Sequence, residues 1–202
     1  RKGRWWSMDY KDTTRLRQRV PELDVVAPVL FSPWGRSNTA YYGDQKTTPR
    51  IQGVTPDYAQ VVTPKLFYGR YIIEVDMKEH RKVCVIGKKI YKELFKEGGN
   101  PCSKSIRIDS TYYEVIGVDY SSTSMNINGR SEQKVTLPMT LMQQTYNRGN
   151  EVDMIVATGR EGVVMSKLSD RIRESVTMAH YVDPTDEQGA MVFNTEVLFQ
   201  ID

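Results

Sequence analysis

The chain is 202 residues long, enough for one domain, in one or two lobes, with a substantial core. Hydrophobic residues at 39% and charged residues at 26% exclude an intrinsically disordered chain. A net charge of +3, from 28 basic and 25 acidic side chains, excludes the strong overall basic excess of a protein that coats nucleic acid, and the longest apolar stretch, 25–31, holds Pro28 and falls far short of the ~20 residues of a membrane helix.

Residues 1–8 read as a lead-in strand or tether. The pattern predicts a helix over 9–20, with Asp12 at the N-cap, Leu16 and Val20 on one face, and Pro21 as its stop. A strand over 23–32 follows, in which Pro28 argues for an edge or a bulge. Its expected hairpin partner is 36–42, and 43–46 is a turn. After a strand over 50–54, Thr55 at N-cap and Pro56 at the first position open a helix that buries Tyr58, Val61 and Val62. Pro64 ends that helix, and Gly69-Arg70 is a bend.

The clearest unit is 82–97. Val83 to Ile86 are continuously apolar, as in a strand buried on both faces. Gly87 turns the chain, and Ile90, Tyr91, Leu94 and Phe95 form one stripe on a helix over 88–95 that Gly98-Gly99 ends. Residues 105–119 read as a hairpin about Asp109-Ser110, and 121–130 as an exposed polar loop. A strand over 134–137 precedes Pro138 and a short helix with Leu141, Met142, Thr145 and Tyr146 inward. A strand over 152–158 comes next. Val164, Leu168, Ile172 and Val176 recur every four residues and predict a helix over 162–178. A last strand is expected over 189–199. Strands and helices mix without strict alternation, which is the pattern of an α+β fold.

No spacing supports catalysis, a cofactor or a metal. Gly87-Lys88-Lys89 lacks the phosphate-loop pattern, because Lys82 and Lys89 stand where Gly and Ser or Thr are required. His80 and His180 each stand alone. Asp183, Asp186 and Glu187 miss calcium-loop spacing and read as a solvated acidic turn. Glu151 and Asp153 flank Val152 and share a strand face, either as paired carboxylates or as structural groups. Cys84 reads as a buried thiol, with a disulfide to Cys102 as the alternative.

Several segments taken in order resemble the extracytoplasmic core domain of MacB/FtsX-like ABC transporter permeases. Ile51-Gln52-Gly53-Val54-Thr55-Pro56-Asp57-Tyr58 is similar to that family's v-x-G-v-s-p-d-y segment. Gly69-Arg70 followed by Asp76 resembles its G-R-f…D element, and Val83-Cys84-Val85-Ile86-Gly87 with Leu94-Phe95 its v-a-V-I-G…e-L-F element. Pro101, Ile106-Arg107-Ile108 and Tyr113-Glu114-Val115-Ile116-Gly117-Val118 resemble the hairpin, and Val135-Thr136-Leu137-Pro138-Met139 the v-i-i-P-l segment. Ser103 and Asp109-Ser110 depart from the Gly and Asn-Gly-like residues usual there. Gly53, Gly69, Gly87 and Gly117 are expected to hold shape at strand ends or turns.

The resemblance implies a two-lobed α+β domain outside the cytoplasmic membrane. The expected lobes are 1–46 with 133–202, porter-like, and an inserted mixed-sheet lobe over 47–132. It implies no catalysis in this domain, with ATP bound on a separate cytoplasmic subunit or domain. The implied partners are that ATPase through membrane helices, a second permease copy, and a membrane-fusion or other periplasmic protein. Tyr41, Tyr42 and the 121–130 loop are candidate contacts. Residues 1–19 hold seven Lys or Arg against two Asp. Arg1, Lys2, Arg4, Trp5 and Trp6 would then lie beside the membrane, with Trp at the interface. The rival readings are a nucleic-acid binder using those basic and aromatic residues, an enzyme with a scattered site, and a free-standing binding module of the same fold. The chain does not start with Met and is expected to be a segment of a longer protein.

Overall fold

A computed structural model describes residues 8–32, 38–122, 130–168, 170–172, 174–175 and 192–194. Arg1, Lys2, Arg4, Trp5, Trp6, His180 and residues 183–187, where an acidic turn is expected, lie outside these residues.

The first helix, α1 (Tyr10–Arg19), begins at Asp9. The Asp9 carboxylate accepts from the Lys11 and Asp12 N–H groups at 2.9 and 3.3 Å, and the Asp12 carboxylate accepts from the Asp9 N–H at 2.9 Å. This reciprocal capping box satisfies donors that the first turn leaves open. It corrects the expectation for Asp12, which is the third helical residue and not the cap.

Strand β1 (Leu23–Phe31) follows, then the hairpin of β2 (Ala40–Tyr42) and β3 (Gln45–Thr47) about Gly43-Asp44. Then come β4 (Arg50–Val54), α2 (Tyr58–Val62), β5 (Leu66–Gly69) and α3 (Glu74–Lys78). The unit β6 (Val83–Gly87) and α4 (Lys88–Leu94) runs as expected, with Ile90, Tyr91, Leu94 and Phe95 all buried. The hairpin β7 (Ser105–Ile108) and β8 (Thr111–Asp119) turns at Asp109, whose φ is +56°. Strand β9 (Lys134–Pro138), α5 (Met139–Thr145), β10 (Met154–Gly159) and β11 (Val192–Asn194) complete the described chain.

The strands form one mixed sheet in the order β11-β10-β1-β4-β9-β6-β8-β7-β2-β3, with β5 added on β8. The β10–β11, β4–β9 and β6–β8 pairs are parallel and the others antiparallel. Helix α1 packs on β1, α2 on β1 and β10, and α5 on β4, β1 and β9, while α4 lies against β3, β6 and β8. Leu30, Ile51, Ile86, Leu94, Leu137 and Met142 are among the fully buried side chains at the centre.

Other expectations change in detail. Strand β1 is an inner strand despite Pro28, because β4 pairs only with Val29, Leu30 and Phe31, and the missing N–H falls beyond that ladder. Strand β2 pairs with β7 and β3, not with β1. The turn into α2 winds from Thr55, whose carbonyl accepts from Tyr58 N–H at 3.0 Å, but the Thr55 hydroxyl caps nothing. Thr145 is exposed on α5 and Gln143 is buried in its place. Helix over the whole of 162–178 is not formed. Gly162 is left-handed at φ +85°, Met165–Lys167 is a 3₁₀ turn, and the described α-helical residues of this stretch are 170–172 and 174–175. Val164 is accordingly exposed, while Leu168 and Ile172 are buried as expected. Ser121 is buried at 3% exposure, and 123–129 lie outside the described residues.

Candidate functional site

The end of β5 crosses β8 backbone on backbone. A Cβ at Gly69, φ +70°, would lie 1.9 Å from the Ile116 carbonyl oxygen, and one at Gly117 would lie 2.2 Å from that of Arg70. Only hydrogen fits at either position. Gly117 is therefore not at a strand end, as expected, but inside β8, where the β6–β8 register slips past Ile116. Arg70 N–H donates to the Ile116 carbonyl at 2.9 Å and fixes the crossing. Gly53 faces Met142 and Met139 of α5, and Gly87 faces the carbonyls of Ser131 and Glu132.

From this crossing the Arg70 guanidinium forks onto Asp76, at 2.7 and 3.0 Å. Asp76 is fully buried and also accepts from Ile73 N–H at 2.9 Å, with Arg81 3.6 Å away. Burial opposes its ionisation, but the hydrogen bonds and the two cations prevail and hold the carboxyl below its usual range. The G-R-f…D element is thus a brace that ties β5, α3 and β8 together.

A second brace answers the question of Glu151 and Asp153. Arg148 reaches both carboxylates at 2.6 Å. Asp153 also accepts from Phe31 N–H at 2.7 Å, which locks the start of β10 to the end of β1. Both carboxylates are committed to a cation, and Asp153 ties two strands together.

A series of aromatic rings runs from the exposed Phe67 on β5, through the buried Tyr91 and Phe95, to β2. Phe67, 54% exposed, stacks on Tyr120 with ring centres 4.4 Å apart, and Tyr68 and Tyr91 continue the series to Phe95. Tyr42 closes it, 4.3 Å from Phe95. Tyr41 lies under the Arg107 guanidinium at 4.3 Å. Both predicted contact tyrosines are thus partly engaged within the fold. Phe67 is the more open aromatic, and it sits in a strand that sequence patterning missed.

Among the described residues, no cluster of three or more His, Cys, Asp or Glu could hold a metal, and no helix is long and apolar enough to cross a membrane. His80 is exposed, left-handed at φ +50°, and bonded to Gln144 at 2.9 Å. Cys84 and Cys102 are both free. Burial pushes the Cys84 thiol far up, with smaller contributions from Glu114 and Cys102.

The architecture is a mixed-sheet α+β domain whose charged groups brace strands. It superposes on the extracellular domain of the noncanonic ABC-type transporter YknZ from Gram-positive bacteria with a TM-score of 0.71 and 18% identity, over 88% of this chain and 87% of that one. The periplasmic region of MacB from Actinobacillus actinomycetemcomitans gives a TM-score of 0.70 and 19% identity, over 90% and 78%. The MacB-like periplasmic core domain family matches residues 1–175, and the chain belongs to that family. The macrolide export ATP-binding/permease protein MacB of Bdellovibrio bacteriovorus is 25% identical over 178 residues, 88% of this chain. The pyoverdine export ATP-binding/permease protein PvdT of Pseudomonas fluorescens is 24% identical over 59% of it. The chain spans about a quarter of the length of the first of these relatives and less of the second.

Proposed function

We propose that the chain is the extracytoplasmic domain of an ABC transporter permease and couples ATP hydrolysis in the cytoplasm to export, or to a periplasmic partner, by mechanical transmission. The observation that carries this reading is the family match across residues 1–175. The single hydrogen-bonded sheet supports it. Chain segments at both ends of the described structure, α1 on β1 and β11 on β10, lie toward one edge of that sheet, and the β2–β3 hairpin lies at the other. Motion delivered at the first edge is carried across backbone ladders and two arginine braces, not across flexible linkers. ATP acts on a separate cytoplasmic subunit or domain and needs no cofactor here. A second permease copy and a membrane-fusion or other periplasmic protein complete the assembly, anchored at the cytoplasmic membrane.

The two-lobe division, 1–46 with 133–202 against 47–132, belongs to this proposal. Strand β4 pairs on both flanks with β1 and β9, and β2 pairs with β7. These pairings favour a seam that gives β4 to the first lobe and the β2–β3 hairpin to the second.

A domain exchange tests the function. In the full transporter, an unrelated folded domain replaces 8–175, and ATP turnover is followed together with export of a macrolide and of pyoverdine, the cargoes in the relatives' names. Retained ATP turnover with lost export is expected. Export that survives the exchange would overturn the transmission role.

A further inference from the structure

A cleft of about 620 Å³ opens between β3 and α4. Lys46 enters it from β3, and Lys89 and Lys96 enter it from α4 and the residues just after it. All three are exposed, and none makes an ion pair among the described residues. The one carboxylate in the lining, Glu93, accepts a hydrogen bond from the Thr47 hydroxyl. The remaining lining is mostly hydroxyl and amide, including Thr48 and Gln133. An apolar ligand gains little there, whereas an anion meets an excess of positive charge.

Strand β3 also stands last in the strand order, so its outer edge has no strand beside it among the described residues. Such an edge offers backbone N–H and C=O groups to an extended chain. Nine strand-to-strand steps separate it from β11, roughly 40 Å at ~4.8 Å per step.

We propose that this cleft docks an acidic, extended segment of a partner protein, laid along β3 with its carboxylates on Lys46, Lys89 and Lys96. The proposal rests on the permease reading only for where that partner is found; the binding itself does not depend on it. The cleft is invisible in the linear sequence, because Lys46 is more than forty residues from Lys89 and Lys96 and joins them only when the β2–β3 hairpin folds beside α4.

Fluorescence anisotropy on the 202-residue chain with a labelled alternating Glu-Thr peptide, and a Gln-Thr peptide as its uncharged match, tests the proposal. The Glu peptide is expected to bind at least about tenfold tighter than the Gln peptide, and to weaken as salt rises. Lys46→Gln, Lys89→Gln and Lys96→Gln together are expected to remove that preference, with an unchanged circular dichroism spectrum. Lys92→Gln, on α4 but outside the cleft lining, is expected to leave it intact. Equal affinity for the two peptides would overturn the proposal, as would a loss from Lys92→Gln equal to that from the triple variant. Either result would leave the domain exchange free to decide the permease reading.

Discussion

Gly117→Ala puts the crossing of β5 and β8 to a direct test. The new Cβ would lie 2.2 Å from the Arg70 oxygen and 3.1 Å from the Arg70 N and C atoms. Ordinary contacts need about 3.5 Å, and all three atoms are backbone, so no side-chain rotation relieves the clash. The two segments must part by about 1 Å, and overpacking of this kind costs about 1–3 kcal/mol. The Arg70-to-Ile116 hydrogen bond at 2.9 Å stretches with it, adding roughly 0.5–1.5 kcal/mol. The expected loss is about 2–4 kcal/mol, read as a fall of about 1–2 M in the urea midpoint. Gly43→Ala is the control. Gly43 is left-handed, at φ +56°, which Gly117 is not, but has nothing within 4 Å of a Cβ, so it should lose only about 1 kcal/mol. If Gly117→Ala is no worse than Gly43→Ala, the reasoning about the crossing is wrong.

Asp76→Asn is expected to cost about 2–3 kcal/mol at neutral pH, since Arg70 loses its anion and Asn cannot accept as a carboxylate does. The folded carboxyl titrates below its unfolded value near ~3.9, so its stabilisation is present above that pH and fades as pH falls through the folded value. Urea melts should therefore show wild type and variant converging below about pH 4. Lys134 has the opposite dependence. It is buried on β9, and desolvation pushes its ammonium down to about 8. The unfolded chain then binds more protons between that value and ~10.4, so stability rises with pH across this window. Relative to Lys134→Met, wild type should gain about 2 kcal/mol between pH 7.5 and 9.5, and no gain would contradict the burial. For the cysteines, a thiol reagent at pH 8 should leave Cys84 untouched in the native protein and find both thiols after unfolding. Absence of free thiol after unfolding without reductant would indicate a disulfide instead.

What was legible in the sequence follows from where the signal is local. The run Val83 to Ile86 and the stripe of Ile90, Tyr91, Leu94 and Phe95 announce β6 and α4, because burial of a strand and of one helix face each leaves its own period. The turn at Asp109-Ser110 is equally local. Strand pairing is not: nothing in 38–42 says that β2 seeks β7 and not β1. Strand β5 and helix α3 are too short, at four and five residues, to show a period. Asp9 and Asp12 are both residues of the capping type, and only the geometry separates the cap from its reciprocating partner. The helix expected over 162–178 rested on four apolar residues, and the left-handed Gly162 precedes the one that ends up in solvent. As for the site, Arg70 and Asp76 were visible as parts of a family element, but not as a buried ion pair. The exposed Phe67 lay in a strand that had not been seen.

The central claim is that this domain belongs to a permease and works from outside the membrane. The gene sequence on both sides of residues 1–202 tests it most directly. The account expects one apolar span of about 20 residues before residue 1 and three after residue 202. Flanks without any such span would contradict it, and would leave a MacB-like fold used as a free-standing binding module.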